Sequence, residues 1–210
     1  MTQTRVLARA ERSDFAGLLD ELTPHQWSSP SLCDGWSVRD VAAHTIAYLS
    51  QSRVTLAVNM VRSGWNVDRL NARGLRDYVG ISTDQLANIM RENVEPSGAG
   101  ALYGGRVALV ECLIHQQDVR RALGEPRAIP EERLRVSLDF ARISPVIAGA
   151  RRTRGVRLVA TDVSWAAGSG PDVRGPAETL LFAMTGRIAN VHDELRGDGV
   201  AILESRHLRG

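Results

Sequence analysis

Apolar positions recur at intervals of three and four through most of the first 150 residues and then change period, which predicts a helical bundle followed by a small mixed segment. Arg5 to Leu22 carries Val6, Leu7, Ala10, Phe15, Leu18, Leu19 and Leu22 as a stripe opposite Arg5, Arg9, Arg12 and Asp20, the pattern of an amphipathic first helix. Between Thr23 and Trp36 the period fails. Pro24, Pro30 and Gly35 mark a loop there, and its Trp27, Leu32, Cys33 and Trp36 are apolar enough to pack down on the bundle. Ser37 is a good N-cap for a second helix, Asp40 can complete a capping box, and Val41, His44, Thr45 and Tyr48 follow at helical spacing. Ser52 to Ser82 begins as helix and then mixes glycines, asparagines and charges, so a break or shorter helices are expected. Thr83 caps a helix running to about Val94, with Leu86, Ile89 and Met90 apolar, and a glycine-rich connector from Pro96 to Gly105 leads onward.

Val107 to Gly124 is the stretch around which the chain is organised. Val107, Val110, Ile114, Ala122 and Leu123 keep near-helical spacing, Gly124 tolerates the left-handed conformation past the end, and Pro126 prevents continuation. Glu111 and His115 stand four residues apart on one face of that helix, near enough to hold one cation or to pair with each other, and Asp118 follows close to the same face. Glu21 and His25 share the spacing, but Pro24 lies between them and breaks the helix that would align them. Taken alone, His44 reads as a core histidine satisfied by a carbonyl or a tyrosine rather than as a metal ligand.

A fifth helix is expected from Pro130-Glu131-Glu132 through Leu134, Leu138, Phe140 and Ile143 towards Gly149. Beyond Arg154, Val156 to Thr161 and Val163 to Ala167 read as strands, Gly168 to Asp172 as a turn, and Val173 as the start of another extended piece. Pro176 to Ile188 reads as a helix burying Leu180, Leu181, Met184 and Ile188, and Val191 to Leu195 with Val200 to Leu203 as a closing hairpin. The expected division is therefore a bundle over 1–150 and a small α+β segment over 151–210.

Composition narrows the function classes. All 26 basic residues are Arg, spread along the chain and offset by 24 acids, and a net charge of +2 is too small to argue for a nucleic-acid partner. The one dense basic cluster, Arg151, Arg152 and Arg154, reads as a solvated linker at the domain boundary. Cys33 and Cys112 form no Cys-x-x-Cys pair, so both read as small buried hydrophobes in a reduced, cytoplasmic protein. No apolar run approaches a membrane span, and neither a signal peptide nor a membrane partner is expected. The glycine-rich connector lacks the Gly-Lys-Ser/Thr of a phosphate loop.

Three stretches carry a resemblance. Leu32-Cys33-Asp34-Gly35-Trp36-Ser37 through His44, Glu111-x-x-x-His115 followed by Gln116-Gln117-Asp118-Val119-Arg120, and Gly175-Pro176-Ala177-Glu178 through Thr185-Gly186-Arg187 resemble, in order, the mycothiol-dependent maleylpyruvate isomerase family of the DinB-like metal-binding superfamily. The resemblance implies a mainly α fold, a DinB-like four-helix bundle with a small C-terminal α+β appendage. It further implies that His44, Glu111 and His115 bind one divalent metal, usually zinc, and that mycothiol is the thiol cofactor. Two imidazoles and one carboxylate suit that metal and leave a position for water or substrate. Arg187, at the end of its helix, is expected to sit near the metal mouth and hold an anionic group of substrate or cofactor, the alternative being an exposed pairing with Asp193 or Glu194. The leading expectation is an isomerase or S-transferase that activates the thiol towards a small electrophile, as monomer or homodimer. A metal-dependent hydrolase and a non-catalytic binder of a small ligand are the alternatives.

Overall fold

The computed structural model describes residues 2–207, and the chain divides into two compact units, 1–127 and 128–210. In the first, α1 (Gln3–Glu21), α3 (Val38–Ser50), α6 (Thr83–Glu92) and α7 (Arg106–Leu123) form a four-helix bundle in which α1 and α3 each touch both α6 and α7. A short α2 (Pro24–Ser28) precedes α3, and α4 (Arg53–Arg62) and α5 (Val67–Arg76) fill the interval before α6, with α5 on the flank of α3. These are the shorter helices expected between Ser52 and Ser82. No described helix is long and apolar enough to cross a membrane.

Local chemistry explains most boundaries. Pro24, expected only to break a helix, occupies the first turn of α2, where its missing N–H costs nothing, and Thr23 with Gln26 closes a capping box before it. Ser37 and Asp40 form the anticipated box at α3: Ser37 Oγ accepts from the Asp40 N–H (3.2 Å) and Asp40 Oδ2 accepts from the Ser37 N–H (3.0 Å). Ser82 rather than Thr83 caps α6. Gly124 ends α7 in the left-handed conformation, as its position demanded.

The first helix buries Phe15, Leu18 and Leu19 of the expected stripe, but that stripe is displaced at its start and takes in two charged residues. Val6 is half exposed, whereas Glu11 and Arg12 are buried beside Ala8, Phe15, Leu18 and Leu19. Both charges have partners: Arg12 Nε donates to Asn93 O (2.8 Å), and Glu11 accepts from Arg127. A buried charge is tolerable when so compensated, which a pattern of apolar residues alone does not reveal.

The second unit holds α8 (Glu131–Ile143), the short α9 (Gly149–Arg152), a three-stranded sheet, α10 (Ala177–Met184) and α11 (Val200–His207). Strands β1 (Arg157–Ala160), β2 (Ala166–Gly168) and β3 (Asp172–Gly175) lie in the order β2-β1-β3, with β1 antiparallel to β2 and parallel to β3. Its core joins Leu134 and Leu138 of α8 to Leu180 and Phe182 of α10, with Leu158 and Val173 from the sheet. The units separate near residue 127, not at the expected 150, because α8 packs on α10.

Two further expectations are corrected. The strand read from Val163 is confined to Ala166–Gly168, since the preceding turn serves α10: Asp162 Oδ1 accepts from the Ala177 N–H at 2.8 Å. The closing hairpin does not form. Ile188–Asn190 and His192–Glu194 are 3₁₀ turns and Val200–His207 is helix, while Arg196 bridges instead to Arg174 of β3. Gly197 and Gly199 pack their backbones on Asp172 and Pro171, where a Cβ would meet carbonyl oxygens at 2.4 and 2.7 Å. That close approach turns the chain into α11.

Candidate functional site

His44 projects from α3 two turns below its capping box, and Glu111 and His115 project from successive turns of α7. Their ligand atoms all lie within 4.8 Å of one another, with both histidines buried and Glu111 partly exposed. His115 Nε2 faces Glu111 Oε2 at 3.4 Å. That separation matches the edge of a tetrahedron whose ligands stand about 2.0–2.1 Å from a zinc-like ion, about 3.3 Å. The donor set therefore fits a divalent first-row metal, and three protein ligands leave one position open.

The surroundings hold these side chains in place. His115 Nδ1 is 3.0 Å from Oδ2 of the fully buried Asp118, which fixes the ring with its other nitrogen towards Glu111. Cys33 Sγ donates to the same Asp118 oxygen (3.2 Å), and Asp118 O accepts from the Leu32 N–H (3.1 Å), so the loop before α3 is tied to α7. Gly35 allows this: it supplies the positive φ of 74° in the Cys33–Trp36 turn, closed by the Trp36 N–H on Cys33 O at 3.0 Å. Trp36 meets His44 edge-on at 5.0 Å between ring centroids, Tyr48 stacks with His44 at 6.2 Å, and the two histidine rings are near perpendicular at 4.8 Å.

The electrostatics follow from burial. For His115 burial alone lowers the imidazole pKa, but the bonds to Asp118, Cys33 and Glu111 outweigh it and leave the metal-free group well above its ordinary value. Burial, and then the Glu111 charge, push the Tyr48 phenol upward, so it remains an O–H donor at neutral pH. Burial pushes the Cys112 thiol up to about 12, which suits the inert apolar role expected of it. Cys33 departs from that expectation, being only partly buried and hydrogen-bonded beside His115.

A second grouping, Cys33, His115 and Asp118, also has ligand spacing. It uses the other nitrogen of the His115 ring, Nδ1, and its members are already joined by hydrogen bonds. It reads better as the support of the first cluster than as a rival to it. Cys33, Tyr48 and the orienting role of Asp118 were absent from the sequence-derived site. Tyr48 had a signal, since it lies four residues after His44 on the same stripe.

Arg187 belongs to the second unit. Its N–H donates to Phe182 O (2.9 Å), and its guanidinium faces Thr185 O at 3.5 Å. The carboxylate of Asp193 lies 3.0 Å from His192 Nε2 instead of meeting Arg187.

Fold and site together define a helical bundle presenting a histidine–glutamate–histidine cluster on two of its helices. The family model of the mycothiol maleylpyruvate isomerase N-terminal domain matches residues 8–120, more than half of the chain, and the chain belongs to that family. Two solved structures are similar to it in fold: a mycothiol-dependent maleylpyruvate isomerase (TM-score 0.59) and a histidine-to-alanine mutant of a mycothiol-dependent maleylpyruvate isomerase (TM-score 0.60). Each is 18% identical, over 93% of this chain and 92% of the other. No curated protein matches the sequence significantly.

Proposed function

We propose that the protein is a metal-dependent enzyme that uses a low-molecular-weight thiol, mycothiol, for isomerisation of, or transfer to, an electrophilic small molecule. The observation that carries this reading is the His44, Glu111 and His115 cluster, with ligand atoms within 4.8 Å of one another, in a chain of this family. These three residues would hold one divalent ion, zinc by the chemistry of the donors. When bound, such an ion lowers the pKa of a thiol placed on it and makes the nucleophilic thiolate available at neutral pH. The protein's own groups do the rest. Asp118 holds the His115 ring with Nε2 inward, Glu111 balances cationic charge at the partly open side, and Tyr48 keeps a phenolic proton beside Glu111. Arg187 is assigned, by the fit of its guanidinium fork to paired oxygens, to an anionic group of substrate or cofactor.

The test begins with elemental analysis of untagged protein. One metal per chain is expected, lost in His44→Ala and in His115→Ala while both variants stay helical. Mycothiol titrated into the Co²⁺-substituted protein should then give a sulfur-to-cobalt charge-transfer band. Retention of stoichiometric metal by both variants would remove the site. No band at millimolar thiol, with activated esters hydrolysed instead, would replace thiol chemistry by hydrolysis.

A further inference from the structure

Arg151, Arg152 and Arg154, which read in the sequence as a solvated linker, are exposed and line the rim of an open cavity of 690 Å³ in the second unit. Arg206 of α11 joins them, and Ile188 and Leu203 supply an apolar part of the lining. Among the described residues none of these four arginines takes part in an ion pair. Among the described residues, Nη1 of Arg206 is shielded from solvent and has no hydrogen-bond partner. Arg152 makes one hydrogen bond, from Nη1 to Ile147 O at 2.9 Å. Two glycines make room for the guanidinium groups: a Cβ on Gly186 would stand 3.0 Å from Arg152 Nε, and one on Gly155 would stand 3.3 Å from Arg206 Nη2.

Four like charges around one cavity repel each other, and a shielded N–H without an acceptor costs folding free energy. Both costs fall when an anion enters. The guanidinium fork accommodates the paired oxygens of a carboxylate or a phosphate, which an ammonium group matches less well. The volume lies within the range of about 300–1,000 Å³ typical of small-molecule sites, and the apolar lining from Ile188 and Leu203 suits a carbon skeleton. A nucleic acid is a poorer fit, since the basic groups line a cavity rather than an extended stripe and the whole chain carries a net charge of only +2.

We propose that this cavity is a binding site for a small organic polyanion, whose carboxylate or phosphate groups sit on Arg151, Arg152, Arg154 and Arg206. The inference uses residues of the second unit alone and stands independently of the metal reading. The test is calorimetric titration of the full-length protein at low salt with citrate as the carboxylate probe and inorganic pyrophosphate as the phosphate probe. Saturable one-to-one binding of at least one probe is expected, and the tighter of the two identifies the anion class. Arg206→Gln and Arg151→Gln should each weaken it by about tenfold or more, the size of one charge-assisted hydrogen bond. Arg135→Gln, which removes an exposed arginine of the same unit, should leave it unchanged, and metal content should be the same in all variants. Arg151 is exposed, so its variant keeps the test decisive if Arg206→Gln folds poorly. The assignment is overturned if neither probe binds saturably at millimolar concentration, if Arg135→Gln weakens binding as much as the others, or if a single-stranded oligonucleotide binds while both small anions do not.

Discussion

Asp118 would contribute nothing directly to a metal at His44, Glu111 and His115, yet it decides which nitrogen His115 can offer. With Nδ1 held 3.0 Å from a fully buried carboxylate, the ring can neither flip nor turn its Nε2 away from Glu111 without breaking a buried charge-assisted contact. Asp118→Asn keeps the shape of the side chain but removes the charge and one acceptor oxygen. We expect this substitution to weaken metal affinity by about 10–100-fold, the usual loss on removing a second partner of a ligating histidine, while the helical content stays the same. Chelator competition against the wild-type protein measures it, and equal affinities would show that Asp118 serves the fold only. The position of Asp118 near the His115 face was legible from spacing three residues along a helix. Its burial and its bond to Cys33, 85 residues earlier in the chain, were not, because they depend on how the loop before α3 closes over α7.

At the scale of elements, the helices that could be read were those whose ends are written in local chemistry. Ser37 with Asp40 and Gly124 each set a boundary through short-range hydrogen bonds or backbone freedom, and each appears where expected. The failures came where a distant partner overrides the local pattern. Val191 to Leu195 and Val200 to Leu203 have strand-like composition, but Gly197 and Gly199 settle on Asp172 and Pro171 and divert the chain into a helix. Arg12 reads as a surface residue until Asn93 O accepts its guanidinium. Glu11 on α1 is the most telling case. It is fully buried and binds Arg127, which also donates from Nε to Gln117 Oε1 on α7 at 2.8 Å, so one arginine clamps α1 to α7. Glu11→Ala removes the main counter-charge from a side chain only 12% exposed and should lower unfolding free energy by about 3–5 kcal/mol. The double variant Glu11→Met/Arg127→Met should lose much less, because no buried charge is left alone. Denaturant unfolding of both decides the matter, and equal losses would mean that the pair is not the source of the effect.

For the whole molecule, the division into units bears directly on where each chemical capacity resides. The change from helical to strand period placed the expected boundary near residue 150, but the period says how a segment is folded and not which core it buries against. Leu134 and Leu138 of α8 pack with the α10 core, so the first unit ends at Arg127. That unit contains His44, Glu111 and His115, the supporting Cys33 and Asp118, the Glu11–Arg127 clamp, and the whole of the family match at residues 8–120. Its helices bury Phe15, Leu19, Ile46, Leu86, Met90, Leu109 and Leu113 among themselves, and a chain of this length can support such a core without staples. Residues 1–127 expressed alone are therefore expected to be helical, to unfold cooperatively, and to bind one metal with the same dependence on His44 and His115 as the full chain. The arginine-lined cavity and Arg187 lie in the second unit, so the metal-depleted fragment should bind neither citrate nor pyrophosphate, and the metal-loaded fragment should lose thiol-dependent turnover of an anionic electrophile. Circular dichroism, elemental analysis and calorimetry on fragment and full chain measure the three properties. A fragment that folds but holds no metal, beside a full chain that does, would show that the cluster needs the second unit to form.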